Sequence, residues 1–101
     1  MIDLKKLQKE IYNNKVRQKF NLKDVDEEIC RIAEELGEFS QAYHRKWPNM
    51  AEELADVIIT AFGLAEMMKL DLGNEVLKKV EKNKKRKYKK VNGVPIRISE
   101  D

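Results

Sequence analysis

The sequence is poor in the residues that interrupt helices or cross-link chains. Its 101 residues include two prolines, four glycines, one cysteine and one histidine. A single cysteine excludes an intramolecular disulfide, and one cysteine with one histidine excludes a structural zinc site built from these residue types. The longest mostly apolar stretch, Leu54 to Leu70, contains two acidic residues and is shorter than the roughly 20 residues that cross a bilayer. Since an apolar N-terminal segment is also missing, the sequence predicts a cytoplasmic protein without a membrane partner.

Charge is abundant but unevenly distributed. Charged residues make up 39% of the chain and sum to a net charge of +3. Residues 78–90 hold nine Lys or Arg and one Glu, so the rest of the chain carries a net charge of −5. A chain with an acidic body and a basic arm suits a polyanionic ligand. The acidic body would bind one end of the ligand through bound cations, and the Lys and Arg of the arm would bind the other end.

Apolar residues recur at spacings of three and four, which predicts an almost entirely helical chain. We expect four helices, at about 3–19, from Asp24 to the break at 46–48, from Asn49 to about 70, and at about 75–86. Asp24 with Glu27 and Asn49 with Glu52 have the spacing of capping boxes. The interpretation is one all-α domain over residues 1–90, a bundle of four to five helices, followed by an extended or disordered tail over residues 91–101.

The third predicted helix has apolar residues around nearly its whole circumference, which is typical of a buried helix. A chain of this length buries a small core by itself, so a second copy of the protein is the simplest cover for the far side of this helix. The alternative is a helix at the centre of a monomer.

An acidic pattern occurs twice. Residues 34–39 and 52–57 share the order acid, acid, Leu, small, acid, apolar. Each copy places two carboxylates at i and i+3 beside its core stripe, and antiparallel packing of the helices would bring both pairs together. Clustered carboxylates at the margin of a core favour a hard divalent cation, Mg²⁺ or alternatively Mn²⁺. The candidate metal ligands and catalytic residues are Glu35, Glu38, Glu53 and Asp56; the alternative is a solvated acidic face.

On the fourth predicted helix Lys79, Asn83 and Arg86 lie at i, i+4 and i+7, and therefore share a face that suits phosphate oxygens. Two alternatives are a solubilising Lys-rich helix end and a nucleic-acid arm. Limited aromatic interleaving, with Tyr88 alone, argues against nucleic acid. Trp47, at the turn before the third helix, is a candidate for stacking on a base or for closing the core.

The two acidic pairs are separated by fourteen residues and followed by the basic helix, and this order resembles the MazG-like all-α nucleoside triphosphate pyrophosphohydrolases. The resemblance covers about residues 22–90 and is greatest to the small MazG-like and dCTP-pyrophosphatase-like members. It implies hydrolysis of a nucleoside triphosphate to monophosphate and pyrophosphate. It also implies dimers or tetramers whose sites draw on two subunits. The residues carried over are Glu35, Glu38, Glu53 and Asp56 for Mg²⁺, and Lys79, Asn83 and Arg86 for phosphate.

The sequence therefore leads to a Mg²⁺-dependent nucleotide pyrophosphohydrolase, with Glu35 or Glu38 as a candidate general base. Phosphoribosyl-ATP pyrophosphohydrolases share this fold and a similar arrangement of acidic residues, so they are an alternative within the superfamily. Two alternatives of other classes remain at this point. One is a noncatalytic helical module that binds nucleic acid through residues 78–90, and the other is an oligomerisation scaffold.

Overall fold

Four helices and one short hairpin follow one another along the chain. The computed structural model describes residues 1–99. The elements are α1 (Leu4–Arg17), α2 (Val25–His44), α3 (Met50–Met67), α4 (Leu72–Lys85), β1 (Tyr88–Val91) and β2 (Val94–Arg97). The prediction of an all-α fold is confirmed, because the hairpin is the only sheet among these residues.

Aspartates begin three of the helices. Their carboxylates accept hydrogen bonds of 3.0 to 3.1 Å from backbone amides three residues later, at Asp3, Asp24 and Asp71. Because Asp71 caps the helix, α4 begins at Leu72, three residues before the predicted start. The predicted capping box at Asn49 is wrong, since its amide Nδ2 donates instead to Glu53 Oε1 at 3.1 Å.

Left-handed lysines end the first three helices. Lys19, Lys46 and Lys69 have φ of 58°, 56° and 58°, and the following amide of each donates to a carbonyl in the last helical turn. These tight ends keep the connections short. The turn at Lys46 places α3 beside α2, and these two helices form the largest helix–helix contact of the fold.

A β-hairpin spans the end of the predicted domain and the start of the predicted tail. Strands β1 and β2 pair antiparallel, with Tyr88 opposite Arg97 and Val91 opposite Val94. Between them, Asn92 and Gly93 have φ of 53° and 80°, as a two-residue type I′ turn requires. The sequence predicts an extended or disordered tail: Val91 and Val94–Arg97 are extended and paired as strands, and residues 100–101 lie outside the described residues.

Polar contacts fix α1 to the other helices. Gln8 is buried and donates through Nε2 to Glu66 Oε1 at 2.9 Å and to the Leu70 carbonyl at 2.7 Å. On the next turns of α1, Lys15 Nζ lies 3.0 Å from Glu28 Oε2, and both side chains are nearly buried. The first contact ties α1 to the end of α3, and the second ties it to α2.

The apolar core of one chain is incomplete. Among the described residues only Ala42, Phe62 and Ala65 are buried apolar residues. Large apolar side chains on α2 and α3, such as Leu36 and Ile58, are 53% and 52% exposed. The Cα radius of gyration is 16.9 Å, against roughly 13 Å for a compact domain of this length. Helix α3 is therefore buried on one side only within one chain, which contradicts the alternative of a helix at the centre of a monomer, and cover by a second copy stays a prediction.

No helix within residues 1–99 combines the length and the apolar character needed to span a membrane.

Candidate functional site

Three of the four predicted carboxylates converge. Glu35 and Glu38 lie one turn apart on α2, and Glu53 lies near the start of α3, across from them. One carboxylate oxygen from each lies within 4.8 Å of the other two. The side-by-side packing of α2 and α3 therefore brings the two copies of the acidic pattern together.

Asp56, the fourth predicted carboxylate, lies at the edge of this cluster. Its negative charge contributes to raising the pKa of both Glu35 and Glu53. Together with Glu35 it also lines a cavity between α1, α2 and α3. Asp56 thus connects the three clustered carboxylates with the neighbouring cavity.

The cluster is short of positive charge. Burial raises the pKa of Glu35 above its ordinary value, the negative charge of Glu38 raises it further, and Arg31, whose Nη2 lies 3.5 Å from Glu35 Oε1, opposes the rise. Desolvation and then the charge of Glu38 raise the pKa of Glu53. The Oε2 atoms of Glu35 and Glu53 are buried and have no hydrogen-bond partner within residues 1–99. Two orphaned carboxylate oxygens in a set of all-oxygen donors fit a hard divalent cation.

A cavity of about 480 Å³ borders the cluster. Its apolar wall includes Ile11, Phe20 and Ile59, and its polar groups include Asn14 and Arg31. This volume is within the range of small-molecule sites, and the mixed lining suits a flat ring with polar edges. Sequence reasoning missed these residues. The only signal in the sequence was the i, i+4 spacing of Arg31 and Glu35, because the contributions from α1 depend on how the helices pack.

The predicted basic residues form a second group at the end of α4. The positive charge of Arg86 lowers the pKa of Lys79 most strongly, and desolvation and the charges of Lys82 and Arg97 lower it further. The Nε atom of Arg86 is buried without a hydrogen-bond partner among the described residues. Asn83 is exposed one turn away, and its carbonyl accepts the Arg86 amide at 3.2 Å.

Within one chain the acidic and basic groups are separate. The charges that shift the pKa of Glu35 and Glu53 all lie on α2 and α3. The charges that shift the pKa of Lys79 belong to Lys82 on α4, to Arg86 directly after α4 and to Arg97 on β2. Helix α4 packs against α1, and the carboxylates lie on α2 and α3.

Trp47 lies away from the acidic cluster. It lines a shallow depression with Tyr43, His44, Lys46 and Met50, which is distinct from the cavity beside Glu35. The guanidinium of Arg45 lies 5.4 Å from the centroid of its ring. One face of the indole is therefore covered by a cation, and the predicted stacking on a base remains a prediction.

Residues 23–91 match the family model described as the MazG nucleotide pyrophosphohydrolase domain. The chain belongs to the MazG family. The matched region contains both acidic pairs and the basic face of α4. Membership of this family supports, in general terms, a hydrolase that acts on nucleotide pyrophosphate bonds. Helix α1 and strand β2 lie outside the MazG match. No curated protein and no solved structure shows a significant match to this MazG chain.

Proposed function

We propose that this MazG-family protein is a Mg²⁺-dependent pyrophosphohydrolase that converts a nucleoside or deoxynucleoside triphosphate to the monophosphate and pyrophosphate. The observation that carries the proposal is the carboxylate cluster of Glu35, Glu38 and Glu53 with its two orphaned buried oxygens. A cavity of nucleoside size lies directly beside it. Family membership adds the class of bond that is cleaved.

All four carboxylates are candidate metal ligands, and one of them is also the candidate general base. Glu35, Glu38, Glu53 and Asp56 would hold Mg²⁺, with Mn²⁺ as the alternative ion. When bound, the ion supplies Lewis-acid polarisation of the phosphates and lowers the pKa of water. Glu35 or Glu38 would accept the proton of the attacking water.

The cavity between α1, α2 and α3 would hold the nucleoside. Phe20 and Ile11 offer apolar surface for a base, and the Asn14 amide can both donate and accept a hydrogen bond at its edge. The triphosphate would then extend past Glu35 and Asp56, which line the same cavity. Trp47 is the second candidate for stacking on the base, at the depression beyond the end of α2.

A second copy of the chain would complete the site. The accessible surface is 8219 Å², roughly 2,300 Å² more than expected for a monomer of this mass. The exposed apolar residues of α2 and α3, among them Leu36, Leu54 and Ile58, flank the carboxylate cluster. Covering this face with another copy would bury apolar area beside the carboxylates. We therefore propose a homodimer, or a tetramer built from dimers, with Lys79, Asn83 and Arg86 binding phosphate across the subunit boundary.

A substrate panel tests the reaction. The protein is incubated with each common ribo- and deoxyribonucleoside triphosphate and with phosphoribosyl-ATP, with Mg²⁺ or with EDTA. We expect monophosphate and pyrophosphate from at least one nucleotide with Mg²⁺, and no product with EDTA. Cleavage of phosphoribosyl-ATP alone would select the family-level alternative. Failure to cleave any nucleotide, or release of inorganic phosphate instead, would contradict the proposal.

Mixing two inactive variants tests the shared site. Asp56→Asn damages the acidic group and Arg86→Gln damages the basic group, so each pure variant is expected to be inactive. If the groups meet across subunits, a mixed dimer regains one intact site, and an equal mixture recovers about a quarter of the wild-type rate. If both groups act within one chain, subunit exchange restores no activity.

A noncatalytic nucleic-acid module is the second candidate, favoured by the net charge of +8 over residues 78–90. It predicts that no nucleotide is cleaved and that a short duplex binds with a steep dependence on salt concentration. The carboxylate cluster would have no role in that binding, so Asp56→Asn would leave duplex affinity unchanged.

A further inference from the structure

The hairpin carries different chemistry on its two faces. Side chains alternate along a strand and paired residues share a face, so Tyr88, Lys90 and Arg97 lie on one face. Lys89 and Ile96 lie on the opposite face with the valines of both strands. Arg86 precedes Tyr88 by two residues in extended conformation, with φ −72° and ψ 138°, and thus continues the cationic face.

Hydrogen bonds fix the hairpin at the end of α4. The Ile98 amide donates to the Lys87 carbonyl at 2.8 Å, and the Lys87 amide donates to Ser99 Oγ at 3.1 Å. The strand pairing therefore extends back to the residue next to Arg86. The pairing places Arg97, which follows Arg86 by eleven residues in the sequence, beside the basic end of α4.

Lys79, Arg86 and Arg97 form a cationic cluster that has no counter-ion among residues 1–99. The positive charges of Arg86 and Arg97 both act on Lys79. None of the three makes an ion pair within residues 1–99, although the neighbouring Lys78 and Lys84 pair with Glu75 and Glu81. The buried, unpartnered Nε of Arg86 is a further donor without an acceptor. Like charges held together raise the free energy of the protein, and an anion with several oxygens would relieve this cost.

We propose that Arg97 joins Lys79 and Arg86 in one oxyanion site that binds the polyphosphate chain of the nucleotide. The inference rests on the proposed function for the identity of the anion. It goes beyond the family match, because Arg97 lies outside residues 23–91. A third cation adds most to the binding of a multiply charged anion, so Arg97 increases the preference for pyrophosphate groups over a single phosphate.

Inorganic pyrophosphate is the probe, titrated calorimetrically into the whole protein in the presence of Mg²⁺. Arg97→Gln is compared with Lys89→Gln, which removes the same charge from the opposite face of the same hairpin. We expect Arg97→Gln to weaken pyrophosphate binding about tenfold, as loss of one charge-assisted hydrogen bond does, and Lys89→Gln to change it less than about twofold. Arg97→Lys keeps the charge and should retain most of the affinity, which separates lost charge from a misfolded hairpin. Inorganic phosphate should lose less affinity than pyrophosphate in Arg97→Gln.

Two results would overturn the inference: no binding of pyrophosphate by the wild type, or equal affinities for Arg97→Gln and Lys89→Gln. Either result is compatible with Mg²⁺-dependent cleavage of a nucleotide, so the proposed function would survive it. Conversely, Arg97-dependent pyrophosphate binding in a protein that cleaves no nucleotide would refute the function and leave the oxyanion site in place.

Discussion

Replacing Glu38 with Gln should change stability in opposite directions with and without Mg²⁺. The negative charge of Glu38 makes the largest electrostatic contribution to raising the pKa of both Glu35 and Glu53. At the 4.8 Å limit of the cluster, two unit charges repel by about 1 kcal/mol in bulk water and by about 3 kcal/mol at an effective dielectric constant of 20. Because Glu38 is exposed, the lower figure applies to its pair with Glu35.

We therefore expect the metal-free Glu38→Gln variant to be about 1 kcal/mol more stable than the wild type. With Mg²⁺ at a hundred times its Kd, the wild type should gain about 2.7 kcal/mol and the variant much less. Urea denaturation at one protein concentration, in EDTA and in Mg²⁺, measures both effects. Glu34→Gln is the matched control, because it removes a carboxylate from the same helix outside the cluster. Equal behaviour of the two variants in both buffers would refute a cation site at the cluster.

Three further predictions concern the contacts that α1 makes with α2, α4 and α3. Glu28→Gln leaves the Lys15 ammonium buried without a counter-charge, so urea denaturation should show a loss of about 3 kcal/mol; a loss below about 0.5 kcal/mol would contradict this. Gly73→Ala places a Cβ 2.6 Å from Leu4 Cβ, which forces α4 away from α1 and should lower the free energy of unfolding by about 1 to 3 kcal/mol. The melting temperature measures this loss, and an unchanged value would show that α1 and α4 move apart without cost. Hydrogen bonds from Lys9 and Gln8 lower the pKa of Glu66, so its stabilisation is complete above the ordinary value of 4.5 and is lost as pH falls from there through the folded value. Glu66→Gln should accordingly be less stable than the wild type at pH 7, and the difference should shrink below about pH 4.5; a difference that persists at lower pH would argue against this linkage.

Local patterns predicted the helices well, because capping and hydrophobic spacing act within a few residues. Asp24 caps α2 as expected, and the repeated acidic spacing placed Glu35, Glu38 and Glu53 on facing helices. The hairpin was missed because lysines dominate its first strand. The Asn92-Gly93 dipeptide was the signal that could have revealed it.

Tertiary packing determined what the sequence could not predict. The cavity beside Glu35 includes Phe20, whose place follows from how the end of α1 packs on α2 and α3. The different charged surroundings of Lys79 and of the carboxylates also depend on how the helices pack. The half-exposed state of α3 reflects an apolar surface larger than one chain can cover.

The most direct test of the metal centre is the rate of pyrophosphate release from the best nucleotide substrate, measured against Mg²⁺ concentration for the wild type and for Asp56→Asn. The account predicts a wild-type rate that rises from zero and saturates with increasing Mg²⁺ concentration. In Asp56→Asn, pyrophosphate release should be at least a hundredfold slower, which corresponds to about 3 kcal/mol of lost transition-state stabilisation. The helical circular dichroism of the variant should be unchanged. A wild-type rate independent of Mg²⁺, or a variant as fast as the wild type, would contradict it.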